Sequence, residues 1–130
     1  MHKSFIEEVV MKRTFIYVEN FDQKWKQLGL GAAEQRELEF QLLMDPGQGA
    51  VITDTGGLRK MRFSPESENK GKSGDYRIIY LDIQTASHTI LLLVYEKNQQ
   101  AALKPDQKKV LKQFVEQLKS LYTSERMDEK

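Results

Sequence analysis

The sequence predicts an α+β protein in which a small, antiparallel-rich sheet carries two helices from the N-terminal half and a third from the C-terminus. Three observations support that expectation. Runs rich in β-branched, aromatic and aliphatic residues recur at 14–18, 76–83 and 89–95, and a fourth extended segment at 58–63 places Leu58, Met61 and Phe63 among basic residues, each of strand length. Apolar stripes at helical spacing occupy 32–44 and 105–122. The chain has 130 residues, the length of one domain that can bury a core without disulfide or metal staples. The order strand, two helices, three strands, helix suits helices packed on a single sheet.

The elements follow in turn. Thr14-Phe15-Ile16-Tyr17-Val18 is the first strand, preceded by an N-terminal extension at 1–12 in which Met11 offers an alternative start. Residues 20–28 form a short helix, with Asn20 placed to accept from the first free amides and Gly29 and Gly31 ending it. The helix at 32–44 spaces Leu38 from Leu42 and Phe40 from Met44 by one turn, leaving Glu34, Glu37 and Glu39 on a wet, acidic side. Asp45-Pro46-Gly47 stops it. Residues 48–57 are a loop with an extended piece at Val51-Ile52.

Strands at 58–63 and 76–83 flank a polar, glycine-bearing connection at 64–74, and so suggest a hairpin. The strand at 89–95 is apolar on both faces and therefore central. Pro105 suits a first helical turn, and Asp106 favours the positive end of the helix dipole. That helix is expected to end near Tyr122, making 13–122 the domain and 123–130 a charged, frayed tail.

Composition removes several function classes. There is no cysteine, so disulfides, thiolate metal sites and cysteine nucleophiles are excluded. The longest apolar run, Ile90 to Tyr95, is far below the ~20 residues of a membrane span. Glu7 and Glu8 interrupt any leader-like region, and a soluble, cytoplasmic protein is expected. His2 and His88 are the only histidines; no metal site is expected, and His88 reads as a strand-end surface residue. Gly56-Gly57 lacks the Lys-Ser/Thr of a phosphate-binding loop, and no Ser-His-Asp arrangement presents itself. A net charge of +1 argues against a general nucleic-acid coat and leaves room for a local basic patch.

Such a patch is legible in Gly57-Leu58-Arg59-Lys60-Met61-Arg62. Side chains alternate along a strand, so Lys60 and Arg62 share one face, with Met61 and Phe63 on the other and Arg59 in a supporting position. Their Cα atoms stand ~6.5–7 Å apart, close enough for two long cations to reach one phosphate. Across the expected hairpin Arg77 joins the same groove, Tyr95 and Lys97 close its side, and Lys70 and Lys72 overhang it from the loop. These residues suit RNA cleavage, in which the ribose 2′-hydroxyl is the nucleophile. Arginine forks grip the phosphate, a lysine acts as general base, and an aromatic stacks on a base. Arg and Lys on a strand are also commonly just the solvated face of a sheet.

At these same positions the chain resembles a known family. Gly56-Gly57-Leu58-Arg59-Lys60-Met61-Arg62-Phe63, then Gly71-Lys72-Ser73-Gly74-Asp75-Tyr76-Arg77-Ile78-Ile79-Tyr80, resemble the signature of HigB-type toxins of the RelE/ParE superfamily. Leu92-Leu93-Val94-Tyr95-Glu96-Lys97-Asn98 and Gln107-Lys108-Lys109 are similar too, so the likeness spans about Thr14 to Tyr122. It implies a RelE-like fold and the toxin part of a type II toxin–antitoxin system. The implied toxin is a ribosome-dependent mRNA endoribonuclease that uses neither metal nor cofactor and is held inactive by a cognate helix-turn-helix antitoxin.

The family's basic positions fall on Lys60, Arg62 and Arg77, and the position after the last strand on Lys97 or Asn98; Tyr95 comes from geometry alone. Arg59, Lys70, Lys72 and Asn98 are expected to touch RNA. Asp54 and Asp75 depart from the pattern, each standing where related sequences carry glycine. A ParE-like DNA gyrase poison and a non-catalytic or decayed RNA-binding toxin are the alternatives the superfamily leaves open.

Overall fold

The structure, a computed structural model, describes residues 13–66, 74–99 and 102–128, with side chains described as far as residue 122. It is α+β. In chain order it contains β1 (Thr14–Tyr17), α1 (Glu19–Gln27), α2 (Ala32–Met44), β2 (Ala50–Val51), β3 (Arg59–Phe63), β4 (Tyr76–Ile83), a short 3-10 turn (Gln84–Ala86), β5 (His88–Glu96) and α3 (Pro105–Asp128). The sheet runs β1-β5-β4-β3-β2, antiparallel throughout except for the β1–β5 pair, which is parallel. β5 is an interior strand, as its apolar run requires, although the middle of the sheet is β4.

Each face of the sheet builds its own core. Phe21 and Trp25 of α1 and Leu38 and Leu42 of α2 pack on Met61, Phe63, Tyr76, Ile78, Tyr80, Leu91 and Val94. On the opposite face, Val115 with Leu111, Leu118 and Tyr122 of α3 covers Leu58, Ile79, Leu81, Ile83 and Ile90. Burying these faces is the main favourable term in the fold. The apolar stripe expected on α2 divides in the structure: Leu38 and Leu42 are buried, while Phe40 and Met44 face solvent.

One irregularity governs the faces. Ile79 pairs with Leu93, yet the next residue, Tyr80, pairs with Leu91, so Leu92 has no partner on β4. An extra residue in one strand is a β-bulge, and it shifts by one the alternation of everything beyond it. Ile90 and Tyr95 would otherwise face opposite sides; with the bulge both join the core under α3.

Several local expectations change. Val18, not Asn20, precedes the first helix, and no side chain caps it. Glu34 is buried rather than wet, because its Oε1 accepts from the Gly31 amide at 2.7 Å at the start of α2. Glu39 accepts a hydrogen bond from the Tyr17 hydroxyl, tying α2 to β1, and burial together with that carboxylate raises the Tyr17 phenol above its ordinary value. α3 runs to Asp128 rather than stopping near Tyr122, through a segment whose Glu, Arg and Met are good helix formers. His88 opens β5 and sets its ring 4.8 Å from that of Tyr122, half-buried rather than on the surface. The extension at 1–12 lies outside the described residues.

The loop before β3 is pinned from the sheet. The Tyr80 hydroxyl donates to Pro46 O at 2.7 Å and accepts from Gly49 N at 3.0 Å. A Cβ on Gly49 would meet the Lys60 backbone at 3.0 Å and Tyr80 Cε1 at 3.1 Å. Gly49→Ala is therefore expected to lower unfolding stability in urea by about 1–3 kcal/mol, and an unchanged midpoint would contradict this packing.

Candidate functional site

β3 and β4 pair in the expected hairpin, and the register sets Arg62 directly opposite Arg77. On the far side of β4, Arg77 pairs with Tyr95. The bulge at Leu92 makes that pair possible on this face, giving a cross-strand row Arg62–Arg77–Tyr95 over three strands. The parallel row, one pleat away, is Lys60–Ile79–Leu93. Lys60 is half-buried and Arg62 is open to solvent.

Two arginines directly opposed on a sheet repel each other, and Asp75 offsets that repulsion. Its Oδ1 accepts from Arg62 Nε at 3.3 Å and from Arg77 Nη1 at 3.2 Å, while Lys97 Nζ lies 3.9 Å from Oδ2. The Ser64 hydroxyl adds a bond at 3.3 Å. Partial burial alone would push the Asp75 carboxyl upward; Arg62 and Arg77 outweigh it and hold the group below the usual carboxylate range. Side-chain exposure falls from 69% at Arg62 to 24% at Arg77, so the cluster has an open end and a sheltered one. One anion thus receives several cations.

Other sequence-selected residues are placed differently. Arg59 is turned away from the row, with Nη1 donating to Gly47 O at 3.0 Å and Gly49 O at 2.7 Å, so it braces the loop before β3. Tyr95 is 6% exposed. Its ring packs in the core beside Arg77 and offers no open stacking platform. Asn98 is exposed in the turn after β5. Lys70 and Lys72 lie outside the described residues.

Asp54 has φ 63°, a left-handed conformation that glycine adopts freely and Asp tolerates better than most residues. Asp at this position thus keeps the turn. α3 buttresses that loop through Lys108 Nζ to Thr53 Oγ1 at 3.2 Å and Lys119 Nζ to Gly56 O at 2.6 Å. Sequence reasoning met Lys108 only within the Gln107-Lys108-Lys109 resemblance and did not single out Lys119, since only the docked helix brings the two to the loop.

Among the described residues no group of three or more His, Cys, Asp or Glu side chains converges as a metal site. None of the described helices is long and apolar enough to cross a membrane.

Fold and site together define an α+β sheet protein with convergent cations at the end of a hairpin. No family model matches the chain. Among solved structures the chain is similar to the free-state form of Escherichia coli toxin RelE carrying two arginine-to-alanine substitutions. The two share 17% sequence identity and a TM-score of 0.46, over 66% of this chain and 84% of that one.

Because the folded pKa of Asp75 is depressed, its contribution to stability is present above the unfolded value of about 4 and is lost as pH falls through the folded value. Asp75→Asn is expected to cost on the order of 1 kcal/mol at neutral pH, limited by screening at exposed Arg62. The difference from wild type should shrink below about pH 4. A constant difference from pH 7 to pH 2 would show that the ion cluster contributes nothing.

Proposed function

We propose that this protein is a toxin of the RelE/HigB kind that cleaves mRNA on the ribosome. The Arg62–Arg77 row is the observation that supports the reading most: two cations in register on neighbouring strands, converging on one anion. In this reading the scissile phosphate takes the place of the Asp75 carboxylate. Lys60, on the same face as Arg62, accepts the proton of the ribose 2′-hydroxyl. The 2′-oxygen forms its bond to phosphorus, the bond from phosphorus to the 5′-oxygen breaks, and Lys97 supplies the proton to the departing oxygen. Products are a 2′,3′-cyclic phosphate and a 5′-hydroxyl, and the step consumes no water and no metal. Arg62 and Arg77 stabilise the charge that builds on phosphate. Tyr95, the cross-strand neighbour of Arg77, is a positioning residue.

The sequence resemblance to HigB-type toxins supports the remaining parts of the proposal: a cytoplasmic location, the ribosome and mRNA as targets, and a helix-turn-helix antitoxin as partner. Asp75 gives one alternative a specific observation. A carboxylate already holding the cations competes with RNA, as a non-catalytic or decayed toxin would show.

Induction of the chain alone should arrest growth and produce new mRNA ends on ribosomes. Arg62→Ala or Arg77→Ala should each lower cutting about 10²–10³-fold. A folded Lys60→Ala/Arg62→Ala/Arg77→Ala variant that still cuts at full rate would overturn the assignment. Asp75→Asn distinguishes the alternative: increased cutting marks Asp75 as a competitor in an active site, whereas tighter RNA binding with no cutting marks a binder.

A further inference from the structure

An apolar flank of α3 faces solvent, and the start of the chain carries a segment that matches it. Val110, Phe114 and Leu121 are exposed and, at spacings of four and seven residues, share one side of the helix. They adjoin Leu111, Leu118 and Tyr122, which face the sheet. The other side of α3 is tied to the loop at 53–57 through Lys108 and Lys119. The apolar flank therefore turns toward β5 and the edge strand β1. Val110 and Leu93 of β5 share the wall of an open cavity there, and Ile16 of β1 is half-buried in the same core. Contiguous exposed apolar surface of this kind marks a docking site.

The entry of the chain into the sheet points to the occupant. Thr14 donates its amide to Ser87 O at 2.9 Å and pairs with His88, whose ring lies 4.8 Å from that of Tyr122. Arg13 Nη1, 2.6 Å from Asp82 Oδ1, fixes the entry point. Residues 1–12 thus join the domain beside Tyr122, at one end of the apolar flank.

Their sequence suits that place. Ser4-Phe5-Ile6-Glu7 has the Ser-x-x-Glu pattern of a helix start. On the helix it begins, Phe5, Ile6, Val9 and Val10 fall on one face, with Glu7 and Glu8 on the other. Seven helical residues, 5–11, extend ~10 Å, the same reach as from Phe114 to Leu121. A helix so short needs an apolar surface to cover if it is to persist in water. Gln113, Gln117 and Ser120 border Leu121 without adding charge, and Glu116 lies farther round the helix.

We infer that residues 5–11 dock as a helix on the Val110–Phe114–Leu121 flank of α3, beside β1 of the same molecule. This goes beyond the RNA-cleaving reading and does not depend on it. Docked there, the segment clamps α3 from the side opposite Lys108 and Lys119 and shields the outer edge of β1, whose backbone groups are otherwise open to pairing.

The chain has no cysteine, so Glu8→Cys, on the wet side of the segment, gives the full chain one attachment point for a nitroxide spin label. NMR then reads the loss of methyl intensity that the label causes. The methyls of Val110, Leu121 and Ile16 should lose intensity selectively, while Val51, on the strand at the far edge of the sheet, keeps its own. Val9→Asp, or the milder Val9→Ser, should abolish that selectivity, and Glu7→Gln, which retains the capping pattern, should preserve it. Equal losses at all methyls mark a free segment and overturn the docking. So does a selectivity that both Val9 variants leave intact. Spin-labelled chains without isotope are also mixed with isotope-labelled chains lacking the cysteine. Intensity losses in that mixture place the segment on a second copy and overturn the intramolecular site, whereas an unchanged spectrum supports it.

Discussion

The site depends on one unpaired residue. Leu92 has no partner on β4, and beyond it β5 turns over by one residue relative to its own beginning. The consequence reaches both cores. Val94 meets the core under α1 and α2, while Leu93 and Tyr95 meet the one under α3. Without the bulge, Arg77 would have no aromatic neighbour on its face, and Leu93 would turn away from α3. Bulges re-aim side chains next to functional sites in this way.

The second constraint is electrostatic. Register forces Arg62 against Arg77, an arrangement unfavourable in itself, and the protein holds it with Asp75 between them and Lys97 beyond. The resting cluster keeps an excess of positive charge, three cations on one carboxylate, and is already organised around an anion. In the proposed reading a ligand phosphate displaces a carboxylate that is stabilised in its charged form. That sets a cost on binding and keeps the cations from collapsing onto other partners. α3 contributes from above by fixing the loop at 53–57 through Lys108 and Lys119.

Much of this was legible in the sequence, for physical reasons that can be named. β4 and α2 were readable because their ends are marked, by Gly74 and Gln84 in one case and by Gly31 and Asp45 in the other. The hairpin followed from two strands around a polar connection, and with it the approach of Arg62 to Arg77. The bulge was not legible. Ile90 to Tyr95 is apolar at each position, so a slip in alternation leaves no trace in the pattern. Tyr95 was consequently expected as an open stacking surface and is buried. Glu34 was expected in water because a carboxylate usually is; its bond to the Gly31 amide is local to the first turn of the helix, and was missed because glycine at the cap offers no Ser or Thr side chain to mark it. Asp75 was noticed as a departure, but that it organises three cations became visible only with the register.

The most direct test of the central claim is an NMR titration of the side-chain Nε–H signals of Arg62 and Arg77 with a short, 2′-deoxy-substituted RNA. The account predicts that both signals shift together, saturate with one affinity, and lose that response as salt rises and phosphate contacts weaken. It also predicts that the Asp75 carboxylate signal moves in the same titration as its partners leave it. RNA binding that leaves both guanidinium signals unmoved would contradict the claim that this row receives the phosphate.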